Sequence, residues 1–101
     1  MAAATAIMGR AEFSAGTRTR AGHVLGSLAQ VLQGRAAIAA SKTVPVLTQS
    51  CLDADPGVRQ SASDALFHLT SFRDGWAIVM DTPRAVKELV RRVCVAATRT
   101  P

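Results

Sequence analysis

Apolar side chains recur along the chain at the spacing of a helix face. Ala21, Val24, Leu25, Leu28, Val31 and Leu32 follow an i, i+3, i+4, i+7 pattern, which gathers them on one stripe. Val58, Ala62, Ala65, Leu66, Leu69 and Phe72 repeat it, and Val86, Leu89, Val90, Val93, Cys94 and Ala97 do so a third time. No comparable stretch alternates with period two, so the pattern predicts helices and no strands.

The punctuation agrees with the stripes. Asp55-Pro56 offers an N-cap carboxylate followed by proline at the first helical position, where a missing N–H costs nothing. Thr82-Pro83 does the same for the last helix. Gly34 and Gly75 are placed just past two long helices, where glycine most easily takes a left-handed conformation. RAAIAA after Gly34 and WAIVMD after Gly75 read as short helical pieces, and Pro45 falls in the first turn of a helix after Thr43. Residues 1–17 read as a poorly ordered lead-in carrying a frayed or irregular first helix. Three arginines by position 20, Arg10, Arg18 and Arg20, against a single acid, Glu12, give the start of the chain a faint likeness to an organellar transit peptide.

Composition narrows the function classes. The chain has 101 residues, 49% hydrophobic and 19% charged, which suits one compact domain and not a disordered polyampholyte. No apolar run approaches the ~20 residues of a membrane span. Cys51 and Cys94 form no CxxC, so neither a zinc knuckle nor a disulfide framework is indicated, and both read as core thiols. The net charge of +5 is spread out, with basic residues interleaved with apolar ones, one Trp, three Phe and no Tyr. A nucleic-acid reader concentrates charge on one face and adds stacking aromatics, so nucleic acid is not the expected partner.

The chain also repeats. Advancing by 41 residues brings Arg18 onto Arg59, Ala21 onto Ala62, Leu25 onto Leu66, Leu28 onto Leu69, Gly34 onto Gly75 and Ile38 onto Val79. With one more residue of offset, Val44 falls on Val86 and Leu47 on Leu89. Stripe residues, glycines and caps stay in step, as a repeated packing unit requires. A period near 40 with three helices per unit lies in the range of helical solenoids. TVPVLTQSCLDADPGVRQSASDALFHLTSFRDG resembles the unit of the armadillo-repeat family, which shares much with HEAT repeats: a VPxL helix, a DPxVR turn, an AxxAL helix and a glycine. The resemblance covers about Arg18 to Ala97. FHLTSFRDGW alone resembles the armadillo-type proteins of ciliary radial spokes.

That resemblance implies an all-α, armadillo-like solenoid of about two repeats in a right-handed superhelical stack. The repeats would occupy 18–101, with a partial unit at 18–33, a full unit at 34–74 and a partial unit at 75–98. Such scaffolds bind proteins on a continuous concave surface, and about three units are normally needed for stability. Barely two here imply a short form, a fragment of a longer armadillo protein, or ends that a partner or a second copy covers.

In family members that grip extended peptides, the groove-lining helix carries Trp and Asn in a W-A-L-x-N arrangement. DALFH places Asp64 and His68 at those positions, and HVLGS places His23 and Ser27 there in the preceding unit. The chain contains no asparagine, so a groove here would have different chemistry. Asp64 and His68 are i, i+4 and can touch, and Ser61 or Ser71 could be nominated to complete a triad. Hydroxyls on the helix of their own base are badly placed for in-line attack, and a surface pair is the expected reading. A zinc site from His23, Cys51, His68 and Cys94 would need distant positions to converge. Phe67 lies opposite the apolar stripe of its helix and reads either as packed on a neighbouring helix or as an anchor for a partner. Trp76 seals the last repeat or meets a partner, and Arg84, Lys87, Arg91 and Arg92 form a basic outer surface.

The sequence therefore predicts a non-catalytic protein-binding scaffold without cofactor or metal. The binding residues are His23, Ser27, Asp64, Phe67, His68 and Trp76. The expected compartment is the cytoplasm, with nucleus and cilium as further compartments. A basic nucleic-acid-associated helical module and a truncated product without separate function are the other readings.

Overall fold

The computed structural model describes residues 2–82. Six helices occur in that span: α1 (Ala2–Gly9), α2 (Ala15–Leu28), α3 (Leu32–Ala40), α4 (Thr43–Ser50), α5 (Pro56–Thr70) and α6 (Arg73–Met80). No strand is found among the described residues. The third stripe, the Thr82-Pro83 cap as a helix start, Cys94 and the basic residues from Arg84 to Arg92 lie outside them.

The 41-residue period is present in the helices themselves. Adding 41 to the bounds of α1 gives those of α4, and the same step carries α2 onto α5 and α3 onto α6 to within one residue at their C-terminal ends. Each helix also touches its counterpart: α1 lies on α4, α2 on α5 and α3 on α6. The α2–α5 contact is the most extensive, and α1 additionally packs on α2, and α4 on α5.

Leu25, Ile38, Leu47, Val58, Leu66, Leu69 and Val79 form one buried core drawn from both periods. Each such side chain removed from water contributes about 1.5–3 kcal/mol. Local capping fixes where α2 and α5 begin. The Asp55 carboxylate accepts a hydrogen bond from Val58 N at 3.0 Å, with Pro56 opening α5, and Ser14 Oγ accepts from Thr17 N at 3.2 Å ahead of α2.

Charged side chains tie the two periods together. Arg18 pairs with Asp53, and Arg35, only 7% exposed, donates from Nε to both Asp74 oxygens at 2.9 Å. Arg35 also donates to Ala29 O at 3.1 Å and lies 3.8 Å above the Phe72 ring centroid. A buried guanidinium is tolerable only with such satisfaction on every side. Its proximity, together with the Gly75 N–H, holds the Asp74 carboxyl below the usual carboxylate range, the Arg35 hydrogen bond being the largest cause.

Four expectations change. The lead-in contains α1, packed on α2 and α4 with Met8 buried; its AAATAIMG stretch carries little amphipathic signal because alanine serves a buried and an exposed face equally. Gly34 and Gly75 are not left-handed caps, for no described glycine has positive φ. They sit inside the first turns of α3 and α6, where a Cβ would lie 1.8 Å from Leu28 O and Leu69 O respectively. Both are needed for a close approach, not for a conformation. Val24, Val31 and Leu32 belong to the predicted stripe but are exposed, because nothing among the described residues packs beyond α2 and α3 on that side. Phe67 is likewise 67% exposed rather than packed on a neighbouring helix.

Candidate functional site

Helices α2 and α5 approach closely because α2 presents glycine to its neighbour. A Cβ at Gly22 would fall 2.0 Å from Ser61 Oγ, and one at Gly26 would touch Ala65 Cα at 3.5 Å. A cleft of about 220 Å³ lies along this contact. His23 and Ser27 line it from α2, Gln30 from the turn that follows α2, and Ser61, Asp64 and His68 from α5.

Four of the six residues singled out in the sequence are thereby brought together. His23 and Asp64 are counterparts one period apart, as are Ser27 and His68, so the cleft is built from one pair of helix positions used twice. The intended partnership of Asp64 and His68 takes another form. Asp64 Oδ1 accepts from Gln60 Nε2 at 2.9 Å, and the His68 ring stands edge-on to Phe67, with centroids 5.8 Å apart at 64°. Phe67 borders the cleft through this contact without lining it, and Trp76 stands away from it on α6, half-exposed.

Ser61, one of the two candidate nucleophiles, lies at the α2–α5 contact. Its Oγ is fully buried beside Gly22 and has no hydrogen-bond partner among the described residues. An unpartnered buried hydroxyl costs about 1–3 kcal/mol, so a group entering the cleft that reaches Ser61 recovers part of that cost. The other nominated nucleophile, Ser71, donates its hydroxyl to Phe67 O at 2.7 Å.

The donor set is mixed: two imidazoles, two hydroxyls, a carboxamide and a carboxylate. Such a lining can pair with peptide N–H and C=O groups and with a cationic side chain. Among the described residues, no cluster of three or more His, Cys, Asp or Glu could hold a metal ion. Cys51 is buried, with its sulfur accepting from Ser63 Oγ at 3.7 Å. A larger cleft of about 360 Å³ lies beneath α1, between Met8 and Val46, but its charges, Arg18 and Asp53, are already paired with each other. No described helix is long and apolar enough to cross a membrane.

Among the described residues the fold is all-helical, with two three-helix periods in contact. No protein-family model matches the chain, no curated protein matches its sequence and no solved structure matches its fold.

Proposed function

We propose that the chain is a non-catalytic protein-binding module of armadillo type, in which stacked helices present the α2–α5 cleft to an extended segment of another protein. The observation that carries this reading is the equivalence of the cleft residues. His23 with Ser27, and Asp64 with His68, occupy matching positions on counterpart helices that touch, so the positions that line the cleft recur with the period while their side chains differ. Positions that recur along a stack of helices suit a ligand whose polar groups recur at regular intervals, as those of an extended peptide do. The acidic and imidazole groups favour a segment carrying a basic or hydrogen-bonding side chain opposite Asp64. The right-handed superhelical arrangement belongs to this proposal, as does a role within the cytoplasm.

The test is to pan a displayed peptide library on the folded full-length chain, with nuclease present to remove bridging nucleic acid. Selected peptides are then titrated against Asp64→Ala/His68→Ala. Loss of a hydrogen bond to a charged group is worth about 1.5–3 kcal/mol, so affinity should fall about ten- to hundredfold. Peptides indifferent to both substitutions would sink the cleft as the binding surface. Binding that disappears with nuclease and steepens at low salt would favour the nucleic-acid reading instead.

A further inference from the structure

Three contacts between the first and second periods each have a chemically matched pair of side chains at opposite ends of the described residues. Arg18 pairs with Asp53; one period on, Arg18 becomes Arg59, and one period back, Asp53 becomes Glu12. Gly26 meets Ala65; the corresponding open pair is Phe67 and Val24. Arg35 covers the Phe72 ring; the corresponding open pair is Trp76 and Val31.

All four apolar members of these pairs are exposed: Phe67 by 67%, Val31 by 53%, Trp76 by 51% and Val24 by 50%. Phe67 and Trp76 lie at the α5–α6 end, and Val24 and Val31 at the α2–α3 end. Arg59 repeats the within-period bond of Arg18: Arg18 Nε donates to Phe13 O, and Arg59 Nη1 to Ala54 O one period later. What Arg59 lacks among the described residues is the carboxylate that Arg18 finds in the next period. Glu12 stands where Asp53 stands one period later, and is engaged only by Arg10 at an exposed site.

We propose that the α5–α6 end of one chain docks on the α2–α3 end of a second copy, head to tail, repeating across two molecules the contact that joins the two periods within one. Phe67 meets Val24 of the second copy, Trp76 meets Val31, and Arg59 pairs with Glu12. The match of one ion pair and two apolar pairs selects a second copy over an unrelated partner, because both halves of every pair are supplied by this sequence. Two large aromatics supply the central anchors expected of an interface. Since Phe67 replaces Gly26, the helices stand further apart at this junction than α2 and α5 do. The junction forms a second, wider cleft between Asp64 and His68 of one chain and His23 and Ser27 of the next. The contact is heterologous, so each added copy leaves one face of each kind open and assembly continues. This inference rests on the period of the helices and not on what the cleft binds.

Sedimentation equilibrium of the full chain over a wide concentration range tests it, together with Val24→Glu and Phe67→Glu. Both substituted side chains are exposed, and far-UV circular dichroism checks that each variant keeps its helices. The wild-type average mass should climb beyond twice the chain mass, while each variant alone stays monomeric. An equimolar mixture of the two variants should reach twice the chain mass and stop, since it retains one intact face of each kind. Glu12→Arg, remote from the core, should weaken wild-type association about two- to fivefold. A wild-type chain that stays monomeric throughout overturns the proposal, and the face is then covered by the chain's own residues 83–101 or by another protein. Association abolished by Phe67→Glu, untouched by Val24→Glu and not restored by mixing overturns it in favour of a symmetric contact.

Discussion

Replacing Gly34 or Gly75 by alanine should destabilise the protein, although alanine is the better helix former. In an unconstrained helix interior the exchange gains about 1 kcal/mol. Here the added Cβ would sit 1.8 Å from a carbonyl oxygen, Leu28 O for Gly34 and Leu69 O for Gly75, and within 3 Å of the carbonyl carbon. Ordinary van der Waals contact begins near 3.4 Å. The obstacle is backbone, so the turn between helices must open by about 1.5 Å, since no rotamer change relieves it. That strains the bonds closing the turn, Phe72 N to Leu69 O at 3.4 Å and Trp76 N to Phe72 O at 2.9 Å in the second period. Overpacking of this kind costs about 1–3 kcal/mol, and more when backbone must move. After the propensity gain, a net loss of up to about 2 kcal/mol remains for each site. For a domain of this size that lowers the thermal midpoint by up to about 8–16 °C. Gly16→Ala is the control: it is exposed in α2, nothing lies within 4 Å of its added Cβ, and it should raise the midpoint by a few degrees. A circular dichroism melt of the three variants decides the matter. If Gly34→Ala or Gly75→Ala melts at or above the wild type, the tight repeated turn is wrong.

Asp55→Ala should cost about 1 kcal/mol by urea titration, because it removes the acceptor for Val58 N, whereas Asp55→Asn should cost less. Arg35 holds the Asp74 carboxyl below its ordinary range, so the folded-state value lies under the unfolded one. The stability this contributes is present above the unfolded value near 3.8 and is lost as pH falls through the lower folded value. Asp74→Asn should therefore flatten the acid limb of a stability–pH profile and leave its shape above pH 6 unchanged.

Positions that do the same work in both periods were legible in the sequence. Leu25 and Leu66, Ile38 and Val79, and the Asp55-Pro56 start all lie in the structure as spacing and capping predict, because each is governed by its own helix. α1 was legible only as a frayed or irregular helix: Ala3, Ala4 and Ala6 give no periodic contrast, and its burial against α2 and α4 makes it a defined element. Nor was the role of the glycines, since a close approach to Leu28 O depends on the path of the turn, which a helix-end pattern does not encode. The cleft was half legible. Matching helix positions identified His23, Ser27, Asp64 and His68, but the buried, unpartnered Ser61 hydroxyl emerges only once α5 rests on Gly22.

The two periods differ at side chains through which one meets the other, as at Gly26 and Phe67 or Arg35 and Trp76, and those differences have a physical origin. Side chains that close a period on itself are held to the same shape twice, as with Leu28 and Leu69 or Gly34 and Gly75. Side chains that meet the neighbouring period answer to that neighbour. Gly26 is small because Ala65 Cα lies against it, and Arg35 is an arginine held by Asp74, Ala29 O and the Phe72 ring. Their counterparts, Phe67 and Trp76, face no described helix and are free of both demands. Random drift at an exposed position yields polar residues more readily than two large aromatics on one end. The aromatic pair is better explained by a surface that covers it, and Val24 and Val31 at the opposite end supply such a surface in the register that the 41-residue period already fixes.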